Sequence, residues 1–127
     1  MKTNKAAAPH YKWGDDCDGW RLVDRPDQSI IHERMPAGTS EERHYHERAH
    51  QFFFVLSGSA VMEIEGEQHH LQRQEGIEVA SGLRHCIRNE AAEPVEFLVI
   101  SAPTTRGDRI AAPPVYVREA AKSGDAR

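Results

Sequence analysis

An all-β architecture, a closed barrel or a sandwich, follows from two features of this chain. Strand-length runs bounded by Gly, Pro, Asn or Ser recur about every ten residues from Gly19 to Ser101. No segment before residue 115 carries the apolar stripe of a helix. The length, 127 residues, is that of one domain with a single core.

The elements follow in order. Residues 1–12 are polar and alanine-rich and read as a loose tail, leading into an arm over 13–28. Within that arm GWRLVD (19–24) alternates apolar and polar residues, as a half-buried strand does. The barrel core is expected over 29–101. SIIHERM (29–35) opens it and is stopped by Pro36 and the glycine of AGTS. QFFFVLSG (51–58), SAVMEIEGE (59–67) and HHLQRQEG (69–76) come next, with EGE as a tight connection between strands. FFFVL is apolar on both faces, so each face needs cover. One fills the interior, and the other is expected to pack on a second copy in a homodimer. IEVASG (77–82), HCIRNE (85–90) and PVEFLVIS (94–101) complete the set. In the C-terminal segment, 102–127, the run PPVYVREAAKSGDAR reads as a short helix or an unstructured end.

Charge and composition narrow the function. A formal net charge of -4 with scattered arginines argues against nucleic acid as a partner. No apolar run approaches the roughly 20 residues that span a bilayer. The first residues, MKTNKAAAPHYKWGDD, lack the apolar segment of a signal peptide. Cys17 and Cys86 lie far apart with no CxxC spacing, which points to a reduced, cytoplasmic protein.

The chemistry sits in HYHERAHQFFFVLSG, residues 44–58. On a strand, residues i and i+2 project from one face, so His44 and His46 point the same way. Neutral imidazole is the commonest ligand of first-row metals, and two set on one strand lower the ordering cost of binding. His85, after the glycine turn of SGLRHCIRN, is the third candidate. An HxH pair alone also occurs on solvated edges; joined to a later histidine it gains weight. Strand parity makes His50 a further candidate, since 44, 46 and 50 are all even, and Tyr45 should face away. One of Glu33 and Arg34 faces the pocket, but parity does not choose between them. His32 reads as a packed strand residue, and His69 and His70 as exposed. Trp13 and Trp20 read as core.

These residues resemble the two motifs of the cupin superfamily. The first motif is matched by Gly38, TSEER, His44, Tyr45, His46, ERAH, Gln51, FFFVLS and Gly58, with glutamine where glutamate is usual. The second, opening at Gly76, is matched by Gly82, LR, His85, CIR and Asn89, with Ala80 where proline is usual. The resemblance covers about residues 29–101. It implies a small jelly-roll barrel, the double-stranded β-helix, around a ligand cavity. It also implies one divalent transition metal (Zn, Ni, Fe or Mn) held by His44, His46, Gln51 and His85. A break across Glu47, Arg48 and Ala49 then resets parity and turns His50 outward.

A neutral amide leaves a bound dication its full charge, which suits a Lewis acid that polarises a carbonyl or hydroxyl. The ligand set looks like that of cupins that linearise unsaturated uronates, and of some that cyclise polyketides. The sugar cupins bring an arginine after the last strand, a part open to Arg106, whose plainer reading is a loop residue paired with Asp108. They also use an acid near the end of that strand, where this chain has Val99. Three functions follow as expectations. The first is a metal-dependent, isomerase- or lyase-like enzyme acting on a small sugar acid or carbonyl compound. The others are an iron dioxygenase on the same site and a non-catalytic small-molecule-binding module.

Overall fold

A computed structural model describes residues 1–114 of the chain. Its strands are β1 (His10–Trp13), β2 (Cys17–Asp24), β3 (Ser29–Met35), β4 (His44–Tyr45), β5 (His50–Ser57) and β6 (Ala60–Ile64). They continue as β7 (Glu67–Leu71), β8 (Gly76–Val79), β9 (His85–Arg88), β10 (Val95–Ala102) and β11 (Ile110–Ala111). No helix among these residues is long and apolar enough to cross a membrane.

Every pairing is antiparallel. One sheet has the order β1-β2-β3-β10-β5-β8 and the other β11-β4-β9-β6-β7. Neighbours such as β3 with β10, far apart in sequence, are the crossovers of a jelly roll. The core lies between the sheets. Met35, Phe53, Val55, Val95 and Phe97 from the first sheet meet Ala60, Met62 and Ile87 from the second. Each large side chain buried there contributes about 1.5–3 kcal/mol.

Local sequence explains local structure. Along β10, Val95, Phe97, Val99 and Ser101 are buried while Glu96, Leu98 and Ile100 are half-buried on the outer face. The β6–β7 hairpin turns on Glu65 and Gly66, both with positive φ (50° and 89°), as a two-residue primed turn requires. The Gly66 N–H donates to Glu63 Oε2 at 2.6 Å.

Two expectations about elements are corrected and one is met. The tail is strand at its end: His10–Trp13 pairs with Cys17–Trp20, because Tyr11 and Trp13 turn inward while His10 and Lys12 face out. The strand expected at GWRLVD in the arm is present as β2, eight residues long and paired on both sides. HHLQRQEG is not one strand. β7 ends at Leu71, the chain turns with Gln74 at φ 68°, and β8 starts at Gly76. The expected helix or unstructured end lies mostly outside the described residues.

Candidate metal centre

The site begins with a short strand and a bend. β4 is two residues long; the chain bends at Glu47 and Arg48 before β5 starts. The bend is held by a buried carboxylate from the loop after β10. Asp108 Oδ1 accepts from the Glu47 N–H (2.9 Å), and Oδ2 from those of Arg48 (3.0 Å) and Ala49 (2.9 Å). Burial would raise this carboxyl, but the three donors hold it below the usual carboxylate range.

Because of that bend, parity in β5 is reset. His50 is exposed beside Glu78, at 3.5 Å, while Gln51 is buried. Gln51 Nε2 donates to Ser101 Oγ on β10 at 3.1 Å, and its Oε1 is buried with no partner.

Three histidines meet at one point. His44 on β4 stands opposite His85 on β9 in the sheet register, and His46 follows two residues later. All three are buried, and one ligand atom from each lies within 4.8 Å of the others. Every Nδ1–H donates to a backbone carbonyl: His44 to Glu42 (2.8 Å), His46 to Asp108 (2.7 Å) and His85 to Leu83 (2.9 Å). These bonds fix the tautomer and leave each Nε2 with an inward lone pair. Nε2 of His46 and of His85 is buried without a partner. Burial, reinforced by Arg109 and the neighbouring rings, pushes His44 down to about 3 and His85 to about 4, and it lowers His46 as well. The imidazoles are therefore neutral at physiological pH, the state in which they bind metals.

The three histidines could hold a metal ion. Orphaned imidazole nitrogens, with an orphaned amide oxygen from Gln51, form a donor set that a divalent transition metal satisfies. A cavity of about 250 Å³ opens over His44, His46, Gln51 and Phe53. That is below the 300–1,000 Å³ typical of drug-sized ligands and suits a small metabolite.

The remaining candidates fall into place by strand face. Glu33 lines the cavity, whereas Arg34 turns outward to Asp18 at 3.6 Å. Tyr45 lies away from the triad under the Arg84 guanidinium, 4.6 Å from its ring centre. His32 is on the outer face, bonded to Glu96 at 2.7 Å. Trp13 packs on the core, while Trp20 sits half-buried near His10 and His32. Arg106 lines the cavity rim, but its guanidinium is held by Asp24, with Nη2 to Oδ2 at 2.6 Å. The expected pairing of Arg106 with Asp108 does not occur, since Asp108 faces the bend. Val99 also lines the cavity, so the end of the last strand supplies no acid.

Four ionisable cavity residues escaped the sequence reading: Tyr11, Arg21, Glu41 and Arg109. Burial drives Glu33 up to about 7, against the Tyr11 hydroxyl, Arg109 and Arg21. Burial and the charge of Glu33 drive Glu41 up to about 8. No local pattern marks the four missed residues, which reach the cavity from β1, β2, the connection before β4 and the loop after β10.

Comparison with known proteins agrees with this geometry. Residues 31–101 match the family model for the cupin domain. The tetracenomycin polyketide synthase protein TcmJ of Streptomyces glaucescens is 31% identical over 72 residues, 57% of this chain. The chain spans about half, 48%, of that relative's length. Among solved structures, a cupin-superfamily sugar phosphate isomerase from Silicibacter pomeroyi superposes with a TM-score of 0.73 at 21% identity, covering 82% of this chain and 76% of that one. KdgF from a Halomonas species does so at 0.70 and 20%, covering 78% and 91%. At such identities the superpositions speak for the fold alone. With two facing antiparallel sheets, a converging histidine triad and a family match over more than half its length, this chain belongs to the cupin family.

Proposed function

We propose that the chain is a metal-dependent enzyme acting on a small polar metabolite, a sugar acid or other carbonyl compound, by Lewis-acid and acid/base chemistry. One observation carries this reading: three buried, tautomer-locked histidines whose ligand atoms lie within 4.8 Å of one another, beside a cavity that His44, His46 and the unpartnered amide of Gln51 line. Buried polar atoms without partners are costly, and a cation at this point satisfies them together. His44, His46 and His85 would hold the ion, with Gln51 as the neutral fourth donor. When bound, the ion supplies Lewis acidity toward a carbonyl or hydroxyl oxygen. Arg21 and Arg109 give the cavity positive charge for an anionic group of the substrate. A second copy of the chain is the proposed protein partner, seated on the half-buried apolar outer face of β5 and β10.

Metal analysis of purified variants tests the reading. His44→Ala, His46→Ala and His85→Ala should each lose most bound metal and stay folded. Gln51→Ala should weaken binding, Gln51→Glu should strengthen it, and His50→Ala should leave it unchanged. Full metal content in the three histidine variants refutes the site, and loss in His50→Ala but not in Gln51→Ala refutes the fourth donor.

A further inference from the structure

With no acid at the end of β10, proton transfer in this cavity must come from another element, and the first sheet offers one. Tyr11, Gly19, Glu33 and Phe97 form one cross-strand row over β1, β2, β3 and β10. Gly19 is the open tooth in that row: a Cβ there would collide with the Tyr11 ring. The phenol therefore lies across β2, and its hydroxyl donates to Glu33 Oε2 at 3.0 Å. Glu33 Oε1 makes no hydrogen bond among the described residues and lines the same cavity as His44, His46 and Gln51. Glu41, on the connection before β4, lines it too. Its Oε1 accepts only the Ile87 N–H, at 3.2 Å. Two carboxyls thus face one small cavity beside the histidine triad, each with an oxygen free for a ligand.

We propose that Glu33 and Glu41 are the proton-transfer couple of this cavity, with Tyr11 as the positioning residue for Glu33, and that they act on a small carbonyl compound whose carboxylate is received by Arg109 and Arg21. The proposal rests on the metal-enzyme reading above and names the groups that move its protons. In the step, ionised Glu33 takes a proton from the carbon beside the substrate carbonyl. The C–H electron pair becomes a C–C π bond, and the carbonyl π pair moves to oxygen. A proton from Glu41 returns to oxygen or to a neighbouring carbon. The net change is an isomerisation, with nothing oxidised or reduced.

The surrounding charges suit such a couple. Burial favours the neutral acids, and Glu33 raises Glu41 further, so one proton is retained between them near neutral pH. Arg21, which stacks over the Tyr11 ring at 4.5 Å, and Arg109 oppose that rise. Arg106 faces the same space but is paired with Asp24. His44 and His46 are neutral. Acid–base groups work best when poised near the operating pH.

The test is a titration of the metal-free full chain, followed through the glutamate side-chain carboxyl NMR signals. Two signals should have midpoints well above the ordinary value of about 4.3. Glu33→Gln should lower the Glu41 midpoint, and Tyr11→Phe should raise that of Glu33, since the phenol stabilises the ionised form. The zinc-loaded chain should exchange the methyl protons of pyruvate with deuterated water, and Glu33→Gln should slow this about 100-fold at unchanged zinc content. A chain that binds no zinc sinks the metal-enzyme reading. A chain that binds zinc but titrates both carboxyls at the ordinary value, or exchanges equally in wild type and Glu33→Gln, sinks the couple alone.

Discussion

Asp108 does more than its place in a loop implies. Its carboxylate gathers three N–H groups of the bend between β4 and β5, and its own carbonyl accepts from His46 Nδ1. One residue therefore sets both the break that points Gln51 inward and the ring angle of a proposed ligand. Asp108→Ala leaves three N–H donors of the bend without their acceptor and should reduce metal affinity about 10–100-fold, as loss of an outer-sphere partner does. Competition against a chelator measures this, and unchanged affinity in a folded variant would sink it. No local pattern hinted at this role. SAPTTRGDR sets Asp108 between two arginines, and only the approach of the bend selects its partner. The histidines were a different matter, because their spacing alone ties His44 and His46 to one face.

At the scale of elements, the apolar strands explain both the core and the proposed partner. β5 buries Phe53 and Val55 inward, while Phe52 and Phe54 stack on the outer face with ring centres 6.1 Å apart. Across the register Phe52 meets Ile100, and Phe54 meets Leu98, making one apolar patch over β5 and β10. If a second copy covers it, light scattering should report twice the chain mass of 14.3 kDa, and Phe54→Glu should halve that with β-sheet circular dichroism intact. A monomeric wild type ends the idea. Strand existence was readable here because β-branched and aromatic runs stand between turn residues. Boundaries were less so, since HHLQRQEG has turn and strand character in equal measure. HYK, read as the end of the tail, forms a strand with Trp13 because β2 is there to pair with it.

The whole molecule has a pH dependence set by its cavity. Glu33 and Glu41 titrate at about 7 and about 8 in the folded chain. In the unfolded chain they titrate near the free value of about 4.3. Between those limits the folded state holds more protons, so unfolding free energy falls as pH rises. The contribution is whole below about pH 4.3 and is lost through the folded values. Below about pH 6.5 the buried histidines, held under their free value, oppose this loss. The urea midpoint of the metal-free chain should therefore drop between about pH 6.5 and about pH 8, and the double variant Glu33→Gln, Glu41→Gln should flatten that drop. A drop equally steep in the double variant would place its origin elsewhere.

Turn residues and apolar alternation were enough for a barrel or sandwich, because each is a local property of consecutive residues, and the resemblance to the two cupin motifs added the jelly roll and the histidine triad. The motif spacing favoured Gln51 where strand parity favoured His50, but the choice of Glu33 over Arg34, and of Asp24 over Asp108 as the partner of Arg106, was not available at that level. Each depends on which face of a strand meets the interior after a bend, or on which loop arrives from some 60 to 80 positions away. A one-residue slip inverts every side chain of a strand, so such choices are settled only when the sheets close on one another.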